Sequence, residues 1–306
     1  MSDTVASLRQ KIDSAGNLQA VVRTMKALAA SSIGQYEQAV RALGDYYHAV
    51  ELGLGVCLRA TGPGVSMGGE GRRTHAGAVG AVVFGSDQGL VGQFNDVVAE
   101  HAASSLEGLT DGSRIWAVGE RVHARLTDAG LPPIGLFTVP SSVRAITPLV
   151  GQILVESEAR RSHGEIVELH LFYNRPTSAA AYEPVDQRLL PLDEAWRSER
   201  AQLPWPTQNL PEVMGGDSRT LRALVREYLF VSLFRACAES LASENASRLA
   251  AMQRADRNID ELLEELNGSF HRQRQSGIDA ELFDVISGFE ALAKGGKPAG
   301  REVTEG

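Results

Sequence analysis

The sequence predicts an α/β protein carrying a long antiparallel coiled coil: helices from the two chain ends pair, and an α/β domain is inserted between them. Three observations predict it. Apolar residues recur at heptad spacing over about residues 2–58. They do so again over about residues 217–294. Between these stretches, short β-branched and aromatic runs alternate with helical segments of about 10 to 15 residues.

The first helix follows from its apolar rows. With Ala15 at heptad position a, the a row reads Ala15, Val22, Ala29, Tyr36, Leu43 and Val50. The d row reads Leu18, Met25, Ser32, Ala39 and Tyr46, with Ser32 the one polar member. A seam sustained at 3.5 residues suits a helix that winds on a partner. At about 1.5 Å per residue such a helix spans roughly 80 Å, more than a compact domain accommodates.

A glycine-rich stretch, RATGPGVSMGGEGRRTHAGA, reads as a loop. AVGAVVFGSD then reads as a buried strand ending in a turn, followed by a helix from Asn95 to about Leu109. RIWAVG, IGLFTVP and IVELHLFYNRP are strands, separated by helices near Glu120–Ala129 and Ile146–Arg161. Strands alternating with helices make a largely parallel, Rossmann-like sheet. The segment around Asn174–Ala181 and the following YEPVDQRLLPL suggest an antiparallel addition. Residues 194–216, with their prolines, read as a linker.

The last helix has Asp217 or Ser218 as its cap after a Gly-Gly break. Its a row reads Leu221, Tyr228, Arg235, Ala242, Leu249, Asp256, Leu263 and Phe270. Its d row reads Leu224, Val231, Ala238, Asn245, Met252, Ile259 and Leu266. Arg235, Asn245 and Asp256 interrupt the apolar seam, and such polar positions fix register or face something wet. The predicted organisation is a helix over 1–58, a loop over 59–77, the α/β domain over 78–193, a linker over 194–216, a helix over 217–293 and a flexible tail over 294–306.

Composition narrows the function. The formal net charge of −8 argues against a phosphate-binding footprint, so no nucleic-acid partner is expected. Cys57 and Cys237 are far apart, which excludes a disulfide framework and fits a reducing compartment. The seven histidines form no H-x-x-x-H pair, so no metal is expected. There is no apolar signal core and no apolar run long enough to span a bilayer.

GSDQGLVGQFN sits between strand and helix, where a phosphate-cradling loop would lie. It is neither G-x-x-x-x-G-K-[ST] nor G-x-G-x-x-G, and it has no lysine. It reads better as a tight turn with positive φ angles, capped by Asn95, and no cofactor is expected.

Three stretches carry a resemblance. QKIDSAGNLQAVVRTMKALAAS resembles the opening helix of the gamma subunits of F-type ATP synthases. GSDQGLVGQFN resembles that family's S-D-R-G-L-C-G-G-L-N turn. SLFRACAESLASENASRLAAMQRADRNIDELLEELNGSFHRQRQSGIDAELFDVISG resembles its closing helix. The three occur in the family's order.

The resemblance implies a central rotor stalk without an active site. Its terminal helices would stand inside a hexamer of alpha and beta subunits, at 3:3:1 with gamma. Its α/β domain would rest on the epsilon subunit and the c-ring, touching the membrane only through that ring. The location implied is the cytoplasmic face of the bacterial cell membrane. Arg23, Met25 and Lys26 match the stretch that faces the beta subunit's moving lever. Arg248 matches the R of A-A-R-M, and Arg274 and Gln275 the R-Q pair that contacts a beta loop. Ser86, Asp87, Gly89 and Gly92 match the α/β turn.

Other roles stay open for some of these. Met25 also falls on the seam, and Arg248, Arg274 and Gln275 also suit a solvated surface. The family's N-T-Q-K-I-T-K-A-M reads here Asn17-Leu18-Gln19-Ala20-Val21-Val22-Arg23-Thr24-Met25, two polar groups fewer. Such drift implies a divergent bacterial branch. Ion choice, H+ or Na+, resides in the ring. A coiled-coil scaffold explains the heptads without the ordered motifs. An enzyme built on the glycine turn explains the turn without the helices.

Overall fold

A computed structural model supplies the architecture. It describes residues 4–61, 78–107, 112–178, 182–209, 211–213 and 217–295, with backbone alone at 61, 217, 218 and 291–295. Residues 62–77 of the expected loop, the Gly-Gly break, the tail from 296 and the cap side chains of Asp217 and Ser218 lie outside the described residues.

The elements run α1 (Val5–Thr61), β1 (Ala78–Phe84), α2 (Phe94–Leu106), β2 (Ser113–Val118), α3 (Glu120–Asp128), β3 (Gly135–Phe137), α4 (Val143–Ser162), β4 (Ile166–Arg175), β5 (Glu183–Leu190), α5 (Glu194–Ala201) and α6 (Asp217–Gly295). By contacts the chain divides into two units, Met1–Met25 with Met252–Gly306, and Lys26–Ala251.

The second unit holds the sheet, in the order β3-β2-β1-β4-β5. β1 runs parallel to both β2 and β4, and β2 parallel to β3. β5 is antiparallel to β4, from Leu169↔Leu190 to Arg175↔Glu183. The antiparallel addition therefore extends well beyond residues 174–181. All seven residues of β1 are buried, as expected of a central strand covered on both faces.

Alternation along the strands sorts the core. Val82, Phe84, Trp116, Val118, Leu171 and Tyr173 face one way, against α4, the later part of α1 and the earlier part of α6. Val79, Ala81, Val83, Ile115, Ala117 and Phe172 face the other way, against α2 and α3. Three layers result, with the terminal helices forming part of one outer layer.

The heptad rows meet mixed outcomes. On α6 the a and d rows hold at most positions: Leu221, Tyr228, Val231, Ala238 and Ala242 are buried in one unit, Met252, Asp256 and Ile259 in the other. Arg235 of the a row is exposed, and off-row Leu233, Ala236, Cys237 and Leu241 are buried where the helix lies against the sheet. On α1 the a row holds, through Ala15 and Val22 in the first unit and Ala29, Tyr36 and Val50 in the second. The d row does not hold throughout. Leu18 is 55% exposed and Tyr46 46% exposed, whereas Gln19 and Leu54 are buried. Toward both ends of α1 the second row thus lies four residues after a, not three, while in the middle Met25, Ser32 and Ala39 are as half-buried as their neighbours Lys26, Ile33 and Val40. A 3.5-residue repeat is satisfied by either neighbour, and the apolar side chains of Leu18 and Tyr46 favoured the wrong one.

The expected linker contains α5. Asp193 caps it by accepting from the Trp196 N–H at 2.9 Å. Trp196 then packs edge-on to Tyr228, ring centroids 5.0 Å apart, and its Nε1 donates to the Tyr228 hydroxyl at 3.1 Å. Pro204, Pro206 and Pro211 all follow this helix, so they bound it without breaking it.

The edge strand β5 is clasped electrostatically. His170 on β4 lies 2.8 Å from Asp186 on β5 through Nδ1, and 3.2 Å from Glu168 through Nε2. Burial opposes protonation of the ring, but the two carboxylates outweigh it, and the pKa rises above the usual 6.5. Stability from the charged ring is fully present below pH 6.5 and is lost as pH rises through the raised native value. Urea unfolding of His170→Gln against the parent chain should show a deficit of about 1 kcal/mol near pH 5.5, shrinking toward pH 8.5.

Candidate partner-binding surfaces and the glycine turn

The turn after β1 is held from every side. Ser86 is fully buried. Its N–H donates to Asn95 Oδ1 at 2.9 Å, Asn95 Nδ2 donates back to Ser86 Oγ at 2.8 Å, and Ser86 Oγ donates to the Gln88 carbonyl at 2.9 Å. Asp87 reaches across the sheet: Oδ1 accepts from the Glu120 N–H at the start of α3, and Oδ2 from the Val139 N–H beyond β3, each at 3.0 Å. The turn therefore sets the loops at the carboxyl ends of β2 and β3. Ser247 Oγ on α6 donates to the Val91 carbonyl, which fastens the turn to that helix.

Asn95 is not the cap that the sequence suggests. Gln93 occupies that position without a side-chain cap bond, and Asn95 lies in the first turn of α2. Its amide ties back to Ser86, a partner nine residues earlier that only the folded turn brings near. Positive φ occurs at Leu90 (64°) and Gly92 (58°). Gly89 does not need it, and a Cβ there would meet only Arg121 Nη2, at 3.9 Å. The Ser86 and Asp87 side chains are engaged by the chain itself.

The other residues singled out fall into two groups. Arg248 is committed internally: Nη2 lies 2.6 Å from Glu244 Oε1, and Nη1 3.5 Å from Asn245 Oδ1. Burial pushes the Glu244 carboxyl up, with Arg248 pulling the other way. Arg23 is half-exposed but engaged, its Nε donating to Asp256 Oδ1 at 3.3 Å. Met25 and Lys26 are half-buried, while Arg274 and Gln275 are exposed.

One surface was absent from these expectations. Toward its end α6 exposes Ile278, Leu282, Phe283, Val285, Ile286 and Phe289, with Phe283 at 73% and Phe289 at 76%. Residues 278, 282, 285, 286 and 289 lie on one helical face. The i, i+4, i+7 spacing was available in the sequence. The heptad frame ended at Phe270 and passed over it.

Among the described residues no group of three or more His, Cys, Asp or Glu could hold a metal ion. No helix there is long and apolar enough to cross a membrane.

Paired terminal helices, a doubly covered sheet between them in sequence, and an unpartnered apolar helix end define a stalk-type subunit, built to be held by other chains. The ATP synthase family profile matches residues 4–292. The ATP synthase gamma chain of Syntrophus aciditrophicus is 32% identical over 224 residues, covering 70% of this chain and 73% of that protein. That of Arthrobacter is 28% identical over 305 residues, covering 95% and 99%. In solved structures, a chain of the Euglena gracilis mitochondrial ATP synthase OSCP/F1/c-ring assembly superposes with TM-score 0.65 at 15% identity, covering 98% of each chain. A chain of the Tetrahymena thermophila central stalk and c-ring gives 0.54 at 18% identity, covering 77% of this chain and 99% of that one. This chain belongs to the ATP synthase gamma-chain family. It is a non-catalytic subunit type.

Proposed function

We infer that this chain is the central rotor stalk of an F-type ATP synthase. Its terminal helices are gripped by a hexamer of alpha and beta subunits, three of each to one gamma. Its α/β domain bears on the epsilon subunit and the c-ring. Ion flow turns the ring, the stalk turns with it, and the beta subunits are driven in sequence through their catalytic states. The chain is peripheral to the cytoplasmic face of a bacterial cell membrane and reaches it only through the ring. Ion choice lies with the ring.

The observation that carries this reading is the exposed apolar face of α6 between residues 278 and 289. Large apolar side chains aligned on a helix at such exposure call for an enclosing partner. A rotating stalk needs that enclosure to be apolar, because directional bonds would hold it at one angle. Met25, Lys26, Arg274 and Gln275 are the side chains proposed to meet the beta subunits. The few polar contacts among them add little binding energy at exposed positions.

Co-expression with the alpha and beta subunits tests it. A single 3:3:1 complex with ATPase activity is expected, and Ile286→Lys with Phe289→Lys should weaken assembly by at least about 10-fold, the scale of a buried interface anchor. Homo-oligomers that form without alpha or beta, or turnover of a small substrate by the chain alone, would overturn the reading.

A further inference from the structure

We propose that Arg23 is a positioning residue of the stalk, acting within the chain through Asp256 and Asp260 rather than by touching a partner. The proposal rests on the rotor reading for its consequence, though not for its geometry. Gln19 and Arg23 stand one turn apart on α1, and Asp256 and Asp260 one turn apart on α6. The helices run antiparallel here, so the pairs match crosswise. Gln19 Nε2 donates to Asp260 Oδ1. Arg23 Nε donates to Asp256 Oδ1 at 3.3 Å, and its Nη2 lies 3.7 Å from Asp260 Oδ1. Gln19 and Asp256 are only 8% and 9% exposed. Buried polar groups at a seam are tolerated when bonded, and sliding one helix past the other by a heptad sets Arg23 against Leu249 or Leu263 and takes Asp256 from its partner.

The apolar seam beside this clasp is ambiguous by itself. A heptad slip would still set apolar side chains against one another along Ala15, Val22, Met252 and Ile259, and small Ala15 and flexible Met252 specify register weakly. The two polar bonds would not survive it: both join residues whose numbers have the same sum, so a shift of one helix along the other breaks both together. Register in turn sets how far the apolar end of α6 extends relative to α1, and hence what an enclosing partner grips. A basic side chain facing a partner's acid would do none of this.

A mutant cycle separates the two roles. Arg23→Met keeps the stem without the charge. Asp256→Asn with Asp260→Asn keeps shape without the acids. Amide hydrogen exchange over residues 17–25 and 254–262 is read on the full chain, and ions pumped per ATP on the complex with alpha, beta, epsilon and the c-ring. Each change should speed exchange by about 3-fold, the scale of a half-exposed charge pair. Each should lower the pumping ratio, and the combined variant should be no worse than the two asparagines alone. Arg23→Asp should also lose coupling, and Asp256→Arg added to it should restore much of the loss. An Arg23→Met defect that persists at full size in the asparagine background, or exchange unchanged in every variant, overturns the proposal. Failure of the parent chain to assemble with alpha and beta would sink the rotor reading instead, and the exchange cycle would still decide the clasp.

Discussion

Complexes carrying Leu249→Pro should hydrolyse ATP without moving a matching number of ions. Leu249 lies deep inside α6, which runs unbroken from Asp217 to Gly295. Proline there removes the N–H that bonds the carbonyl four residues back and drives its ring against that carbonyl, a penalty of about 3 kcal/mol or more with a kink. The preceding residue is also pushed away from helical geometry. That residue is Arg248, whose guanidinium lies 2.6 Å from the buried Glu244 carboxylate. Separating them leaves Glu244 without its partner charge, so the local damage exceeds the loss of one helical bond. ATPase activity and ion pumping measured on the same preparation separate uncoupling from failure to assemble. Parental coupling in a fully assembled Leu249→Pro complex would contradict the stalk role.

Gly119→Ala should unfold the α/β domain at ordinary temperature or leave it insoluble. Gly119 follows β2 with φ 118° and ψ 136°, a conformation essentially restricted to glycine. A Cβ there would lie 2.7 Å from the Ser86 carbonyl oxygen, 2.8 Å from its carbon and 2.9 Å from the Ser86 nitrogen. These are backbone atoms, and Ser86 is fixed by Asn95 and by the Arg121 N–H, which donates to the Ser86 carbonyl at 2.9 Å. Neither side can yield cheaply. Strain and overpacking together give a loss of about 2–6 kcal/mol, comparable to the whole stability of many domains. Gly130→Ala is the control: its φ is also positive, at 79°, but a Cβ there meets nothing within 4 Å. It should lower the urea midpoint far less. Equal effects of the two substitutions would show that conformation alone, not the approach to Ser86, matters at 119.

Much of this protein was legible before folding. Most of the α6 rows were readable, because a long helix with small, regular apolar positions repeats one local rule; the exposed Arg235 and the buried Leu233, Ala236, Cys237 and Leu241 depart from it where the sheet packs on the helix. The parallel sheet was readable from strands alternating with helices. The motif stretches around Met25, Asp87 and Arg248 were enough to indicate the family. What local pattern could not supply was the choice between equivalent neighbours. The second row of α1 depended on where α6 lies, so Gln19 rather than Leu18 became the buried residue. Asn95 found Ser86 instead of a helix end, Asp87 found two loops far along the chain, and Arg23 found two carboxylates on the other terminal helix. Periodicity depends on spacing within a segment and survives in one dimension. A polar side chain's partner is whichever group the packed backbone brings within about 3 Å, and only the assembled tertiary structure decides that.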